Sequence, residues 1–250
     1  MDVARLKTGC LVAPPDPRNL QAARILDVSA LPTPPTTWLR IAQRVKAWPV
    51  YANDRLNDCT TAAVGHKIMA ATGWAGHLHQ PTEQSIVNLY WSTGKADDGR
   101  FPNIVLNAWR NATGDIGAHA PEAYVEVDLA SPQMLHTAAY LFAGLYVCAN
   151  LPANLKKQMA ADKKTWSYVP GAGSAPGSWD GHAFLAAGYY ANGDWDIRSW
   201  GTRFRATKRW MQEYVYLTFA ILSKDELQLV NGKNPQGIDL AALRADLARL

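Results

Sequence analysis

Cys59 is the residue of this sequence best placed to carry out covalent chemistry. Asp58 precedes it, and the small residues at 60–63 are typical of a helix that begins here and packs closely. At a helix start, unpaired backbone N–H groups and the helix dipole favour negative charge, which lowers the pKa of a thiol. The position therefore makes Cys59 a candidate nucleophile, although a free cysteine is more often a buried structural residue.

His182 lies far along the chain, as the partner of such a nucleophile usually does. It follows a glycine-rich loop at 170–180 and opens an apolar stretch, residues 182–190, that predicts a strand. A histidine at the mouth of a strand can point into a cleft and accept the thiol proton. The alternative is an ordinary histidine at a strand end, with its hydrogen bonds satisfied.

Three short motifs around these residues resemble those of the papain-like cysteine peptidases. A Pro-Val pair leads to Asn53 and, six residues later, to Cys59, where the family has Pro-Val, two residues, Gln, five residues and Cys. Residues 181–189 are similar to the family's histidine strand. Residues 199–202, Ser-Trp-Gly-Thr, are similar to the end of its Asn-Ser-Trp-Gly-Thr motif. The motifs occur in the family's order, and the resemblance covers about residues 45–222.

The resemblance implies an α+β, papain-like fold of two lobes. It would consist of a helical N-terminal lobe at about 46–122 and an antiparallel, β-barrel-like lobe at about 123–225. A Pro-rich N-terminal arm, residues 1–45, would precede this papain-like domain. A tail with a helix, residues 226–250, would follow it.

The resemblance also implies roles for individual residues. Cys59 would be the thiolate nucleophile of an acyl-enzyme mechanism, paired at rest with a protonated His182. The Asn53 side chain would donate to the oxyanion beside the backbone N–H of Cys59. Trp200 would shield the pair from water.

One departure from the family concerns the residue that orients the histidine. The family's Asn falls on Arg198 here, and a guanidinium accepts no hydrogen bond, so it cannot orient the imidazole in the same way. A backbone carbonyl, a water, Asp180 or Asp196 would be needed as a substitute. Ser199 belongs to this third-member region of the motif.

The elements expected along the chain must bring these residues together. Helices are predicted from Cys59 to about Gly73 and over 81–112, with a loop at 94–99. Strand signals follow at 124–127, 144–149, 182–190, 195–200 and 214–222, the third and fourth joined by an Asn-Gly turn. Helices first and sheet afterwards is an α+β order. Two short arm helices, near 19–25 and 37–45, and a leucine-striped helix at 238–250 complete the prediction.

Composition limits the class of protein. A hydrophobic fraction of 48% and a charged fraction of 18% exclude a disordered chain, and no apolar run is long enough for a membrane span. A net charge of +4 is too mild to predict nucleic-acid binding. Three cysteines cannot form a fully paired framework, which favours a reducing compartment. The N-terminus carries no signal peptide, so the expected location is the cytoplasm of a bacterial host, or a virion.

Three functions follow from these observations. The favoured one is a papain-like cysteine peptidase or amide hydrolase, resembling proteins encoded by phages and prophages. The second is a catalytically weak or inactive papain-fold module, for example a virion component. The third is a cell-wall amidase or transferase. Expected partners are a peptide or protein substrate, a cell-wall peptide or virion proteins.

Other histidines and a basic cluster give weaker signals. We expect no cofactor and no metal, because His77 and His79 lack a third ligand at a known spacing. His66, seven residues after Cys59, is expected to be a core or solvated histidine. The basic cluster at 203–209 is expected to be a solvated hairpin face.

Overall fold

The computed structural model describes residues 2–12, 33–223 and 225. The helices predicted near 19–25 and over 238–250 lie outside these residues. None of the described helices combines the length and apolar character needed to cross a bilayer.

Helices dominate the first half of the described chain. A short 3-10 helix, Val3–Arg5, comes first. The α-helices, in chain order, are α1 (Arg40–Arg44), α2 (Cys59–Ala75), α3 (Glu83–Ser92), α4 (Pro102–Arg110), α5 (Gly114–Gly117), α6 (Pro132–Leu141), α7 (Asn154–Ala160) and α8 (Lys208–Tyr214). The sequence did not predict α7 or α8.

Helix α2 forms the centre of the molecule, and every side chain from Cys59 to Gly73 is buried. The helix runs past Gly73 and ends at Gly76, whose left-handed φ of 92° suits a C-terminal glycine. Gly73 instead serves close packing, since a Cβ there would lie 2.8 Å from Val45 Cγ2. Asp58 holds the N-cap position as predicted, but its side chain makes no capping hydrogen bond.

Seven strands form a single sheet. They are β1 (Pro121–Glu126), β2 (Leu145–Leu151), β3 (Thr165–Trp166), β4 (Asp180–Tyr189), β5 (Trp195–Ser199), β6 (Thr202–Ala206) and β7 (Val215–Ser223). Their order in space is β1-β7-β2-β4-β5-β6-β3, and all pairs are antiparallel except β3 with β6. The sheet is open, with β1 and β3 at its edges, so the expected barrel does not close.

Strand β4 links the sheet to the central helix. Every residue from Gly181 to Tyr189 is buried, because β2 and β5 flank the strand and α2 packs on it. In the register with β2, His182 pairs with Ala149 and Ala183 pairs with Cys148. This packing brings the start of β4 to the start of α2.

The basic cluster at 203–209 is divided between two elements. Arg203 and Arg205 lie on β6, where they form ion pairs with Asp196 and Asp194. Thr207 then caps α8 by accepting a hydrogen bond from Trp210 N, which ends the strand and starts a helix. The predicted hairpin face is therefore half strand and half helix.

Candidate active site

A strained turn positions Asn53 ahead of α2. Tyr51 and Ala52 have left-handed φ angles of 56° and 67°, which residues other than glycine seldom adopt. Ala52 N donates to Glu83 Oε2 at 3.1 Å, which helps to hold the turn. Asn53 is buried, and its Nδ2 donates to Leu56 O at 3.2 Å. The side-chain amide expected at the oxyanion is thus tied to the loop that leads to Cys59.

Cys59 is the first residue of α2, as the sequence predicts. Its side chain is fully buried, and its Sγ accepts a hydrogen bond from Ala183 N at 3.4 Å. Burial raises the pKa of the Cys59 thiol well above its ordinary range, because water is excluded from the charged form. The nucleophile candidate therefore lies beside β4 as a neutral thiol.

His182 is fixed from two sides. Its Nε2 is hydrogen-bonded to Ser199 Oγ at 2.7 Å, and its ring stacks on Trp200 with centroids 4.1 Å apart. Its Nδ1 is buried and has no partner among the described residues. Burial lowers the pKa of His182 to about 3, so the imidazole is neutral. One ring nitrogen is held in place, and the other remains available as a base.

The described conformation is not the thiolate–imidazolium pair expected from the resemblance. No hydrogen bond between Cys59 and His182 is found among the described residues, although Ala183, the neighbour of His182, contacts the thiol. Both groups are buried without an opposite charge close enough to favour ionisation. The two residues are brought together, but in a closed and neutral state.

The sequence did not show which group orients His182. In the structure, the Ser199 hydroxyl is hydrogen-bonded to its ring. Arg198 turns into the core, where it forms a bidentate ion pair with Asp196 at 2.8 Å. Asp196 also accepts from Arg203, and Asp180 accepts from Thr8 Oγ1 and Gly181 N. Neither carboxylate contacts His182, whereas the Ser199 hydroxyl does.

Residues 7–11, named here the N-terminal strap, lie across this site. Lys7 N donates to Asn53 O at 3.1 Å, and Trp200 Nε1 donates to Lys7 O at 2.7 Å. The strap therefore bridges the loop before α2 and the turn after β5, two of the segments that carry candidate catalytic residues.

Further along, the strap forms main-chain hydrogen bonds on both sides. Gly9 N and Cys10 N both donate to Gly181 O at 3.0 Å. Arg100 N donates to Gly9 O at 2.8 Å, and Leu11 N donates to Arg100 O at 3.0 Å. The strap thus lies against Gly181, the neighbour of His182, and we expect it to contribute to the burial of Cys59 and His182.

The fit of the strap requires glycine at its contacts. A Cβ on Gly181 would lie 1.9 Å from Cys10 O, and a Cβ on Gly9 would lie 2.3 Å from Asn57 O. Gly9 also has a φ of 110°, a conformation that other residues rarely adopt. The sequence indicated a Pro-rich arm, but no residue pattern showed that the arm enters the site, nor that Arg100 pairs with it.

Asp58, directly before the nucleophile, is an unexpected buried acid. It is fully buried, and the side-chain amide of Asn53 lies close enough to interact with its carboxyl group. Burial raises its pKa from 3.8 to about 8. A neutral carboxyl group thus lies beside Cys59 at pH 7, where the sequence predicted a helix-capping carboxylate.

The remaining histidine candidates have other partners. His77 Nε2 lies 3.1 Å from Asp225 Oδ1, and His79 Nε2 lies 2.7 Å from Asp115 Oδ1. Across the described part of the chain, no group of side chains is arranged to hold a metal ion. His66 is a core residue as expected, with Nε2 hydrogen-bonded to Pro49 O at 2.8 Å.

If the strap shields Cys59, then Gly181→Ala should uncover it. The new Cβ overlaps Cys10 O and breaks two hydrogen bonds, at about 1 kcal/mol each, so we expect Cys59 alkylation to be roughly tenfold faster or more. The measurement is the rate of iodoacetamide labelling, read by mass spectrometry. Gly188→Ala is the matched control, since it creates a similar overlap on β4, with Trp38 O. Equal rates in the two variants would rule out shielding by the strap.

The buried Asp58 should make stability depend on pH. Between about pH 4 and pH 8 the folded chain keeps a proton that the unfolded chain has lost, so the free energy of unfolding falls as pH rises. Asp58→Asn removes this titration. We expect its stability relative to wild type to increase by about 1 kcal/mol or more between pH 5 and pH 8.5. Urea unfolding at each pH measures the free energy of unfolding, with the exposed Asp128→Asn as control. Parallel pH profiles of wild type and Asp58→Asn would contradict the expectation.

Comparison with known proteins places this geometry in a known fold. No family model matches the sequence, and no curated protein matches it. Among solved structures, xylellain, a cysteine protease from Xylella fastidiosa, matches with a TM-score of 0.62 at 14% identity, covering 87% of this chain and 96% of that chain. The proCathepsin B S9 of Trypanosoma congolense matches with a TM-score of 0.60 at 11% identity, covering 88% of each chain.

Procathepsin L 3 from the larval midgut of Tenebrio molitor is also similar. Its TM-score is 0.56 at 12% identity, and the match covers 88% of this chain and 76% of that chain. Identities this low show the fold and no more. The chain has the α+β fold of the papain-like cysteine proteases.

Proposed function

We propose that this protein is a papain-like cysteine hydrolase that cleaves amide bonds in peptides. Cys59 is its nucleophile and His182 its base. The arrangement around His182 supports the proposal most: Ser199 holds Nε2, Nδ1 is unpartnered among the described residues, and the next residue of the strand contacts the Cys59 thiol. A buried histidine with a purely structural role would be expected to satisfy both ring nitrogens.

The reaction begins when the strap leaves and water enters. Hydration removes the burial penalty on charge, so the Cys59 proton can pass to His182 Nδ1, and the N-terminus of α2 stabilises the thiolate. The thiolate attacks the carbonyl carbon of the substrate. His182 gives its proton to the leaving amine, leaving a thioester on Cys59, and water then hydrolyses that thioester with His182 as base.

The oxyanion site is formed by the start of α2 and the preceding loop. The backbone N–H of Cys59 is one donor, and the side-chain amide of Asn53 is the other. The amide carries two N–H groups, one of which donates to Leu56 O. The amide also interacts with the buried Asp58 carboxyl, so its second N–H would serve the substrate oxygen once that contact is released.

The strap supports a polypeptide as the substrate class. The site binds it through main-chain groups: Gly181 O and Arg100 O accept from its N–H groups, and Arg100 N donates to a carbonyl. Such groups recognise any extended peptide and carry no side-chain preference. The same geometry makes the described chain latent, because a peptide cannot bind until the strap leaves.

A second function has an observation of its own in its favour. The occupied site and the neutral Cys59 suit a papain-fold module that binds partners without turnover. The cell-wall amidase, the phage or prophage origin, the virion partners and the domain boundaries given above stay predictions.

The decisive experiment is a hydrolysis assay with matched cysteine variants. Reduced wild type and Gly9→Ala, whose new Cβ disturbs the strap by overlapping Asn57 O and leaves the site unchanged, are incubated with a fluorogenic peptide library and with muropeptides, between pH 4 and pH 8. We expect peptide cleavage, faster in Gly9→Ala, and a fall to background on Cys59→Ala because the nucleophile is gone. Cys148→Ser, which changes a buried thiol outside the mechanism, should keep the activity.

Two results would contradict the proposal. Cleavage that survives Cys59→Ala would place the chemistry elsewhere. Absence of cleavage in both wild type and Gly9→Ala would leave the binding module as the better function. Cleavage of muropeptides alone would replace the peptidase with a cell-wall amidase.

Ser199 should act through the orientation of His182. Ser199→Ala removes the partner of Nε2, and a hydrogen bond to an imidazole that becomes charged is worth about 1.5–3 kcal/mol, so we expect kcat to fall by roughly 10- to 100-fold with little change in KM. Ser199→Thr keeps the hydroxyl and should restore most of kcat. Thr202→Ala, which removes a nearby hydroxyl that donates to Trp200 O, serves as control. Equal kcat values for Ser199→Ala and Thr202→Ala would refute the orienting role.

A further inference from the structure

The three cysteines of the chain meet beside the strap. Cys10 lies on the strap, Cys59 at the start of α2 and Cys148 on β2, and all three are buried free thiols. The register of β2 with β4 places Cys148 opposite Ala183, whose N–H contacts the Cys59 thiol. Segments widely separated in sequence thus bring every thiol of the chain to one place.

Within this cluster, Cys10 pairs with Cys148. The Cys148 thiol lies close enough to Cys10 and to Tyr216 to interact with both. Cys10 Sγ in turn lies 3.3 Å from Tyr216 Oη, and that hydroxyl donates to Leu11 O of the strap at 3.4 Å. Cys10 also lies near Cys59, whose thiol accepts its hydrogen bond from Ala183 N. The thiol on the strap therefore faces a thiol of the sheet that the proposed mechanism does not use.

We propose that Cys10 and Cys148 form a reversible disulfide that locks the strap in the site. The lock rests on the proposed function only in that the locked site is the active site; the crosslink itself does not depend on catalysis. Reduced, the strap is held by hydrogen bonds and can leave. Oxidised, it is tied covalently to β2, beside the strand that carries His182.

The oxidant is a peroxide or a small disulfide. With hydrogen peroxide, Cys10 sulfur attacks an oxygen, the O–O bond breaks, and a sulfenic acid and one water form. Cys148 sulfur then attacks the Cys10 sulfur and releases the second water. Both thiols are oxidised by one electron each, and the peroxide takes up both electrons. A reducing thiol reverses the step by exchange through a mixed disulfide.

The order of the two thiols follows from their positions. Cys10 moves with the strap and meets solvent whenever the strap lifts. Cys148 is fully buried within β2, and burial raises the pKa of its thiol. It is therefore suited to attack the oxidised Cys10 in the second step, and not to react with the peroxide in the first. The disulfide therefore forms when the strap returns to the site and brings the oxidised Cys10 back to Cys148.

The test uses the full chain, treated with hydrogen peroxide or kept in reductant. Free thiols are first blocked with iodoacetamide. Trypsin then cleaves the chain so that each cysteine lies on a separate peptide, 8–18, 56–67 or 111–156. We expect oxidation to link peptide 8–18 to 111–156, and reductant to separate them. A link between 8–18 and 56–67, or no link at all, would overturn the proposal.

Locking is then measured at Cys59, by its rate of alkylation before and after oxidation. In wild type we expect oxidation to slow labelling at least tenfold, reversibly with reductant. Cys148→Ser and Cys10→Ser, oxidised in the same way, should show no slowing; two variants on different elements guard against misfolding of either one. An equal slowing in these variants would overturn the lock.

The outcome also separates this inference from the proposed function. A crosslinked, slowly labelled wild type that, once reduced, cleaves no peptide would support the lock and contradict the hydrolase. A chain that cleaves peptides but forms no link between peptides 8–18 and 111–156 would support the hydrolase and contradict the lock.

Discussion

The close packing of α2 on β4 is the contact on which the rest of the site depends. The helix can lie in the interior because its first turns carry small residues, and its buried face meets a strand that is itself buried from Gly181 to Tyr189. The contact between Ala183 N and Cys59 Sγ is made where the two elements touch. Because side chains alternate along a strand, a slip of one residue in β4 would turn His182 away from this contact.

Burial at this contact has two opposite effects. It makes the site dry, where hydrogen bonds and charges act strongly, and it also penalises the charges that catalysis needs. The strap completes the burial with its main-chain ladder, and the result is a neutral Cys59 and a neutral His182. In the proposed hydrolase, the hydration of Cys59 and His182 thus determines whether the site is latent or active.

Arg198, at the position where the papain-like motif has Asn, has a local partner. The guanidinium finds a carboxylate, Asp196, on its own strand, and the pair is buried with Arg203 as an outer partner. A buried arginine without such a partner would cost several kcal/mol. The neighbouring Ser199 faces the other side of the strand, where its hydroxyl reaches His182. One strand therefore satisfies a charge on one face and holds an imidazole on the other.

Much of the architecture was readable from local chemistry. The helix that starts at Cys59, most strands of the second half and the Asn-Gly turn between β4 and β5 follow from spacing and residue type. The catalytic roles that the papain-like motifs gave to Cys59, His182, Asn53 and Trp200 stay predictions. The partner of His182 was not readable, because it depends on which face of β5 each side chain takes.

The strap, the thiol cluster and the buried Asp58 were decided only in three dimensions. Some contacts join residues about 200 positions apart, as between Cys10 and Tyr216. Local sequence patterns do not predict which of such distant segments meet. Ionisation depends on the same contacts: Cys59 looks activated from its place at a helix start, yet burial under the strap makes it neutral. The sequence by itself thus determined which groups can react, and the tertiary structure determined their charge, because charge depends on exclusion of water by distant segments.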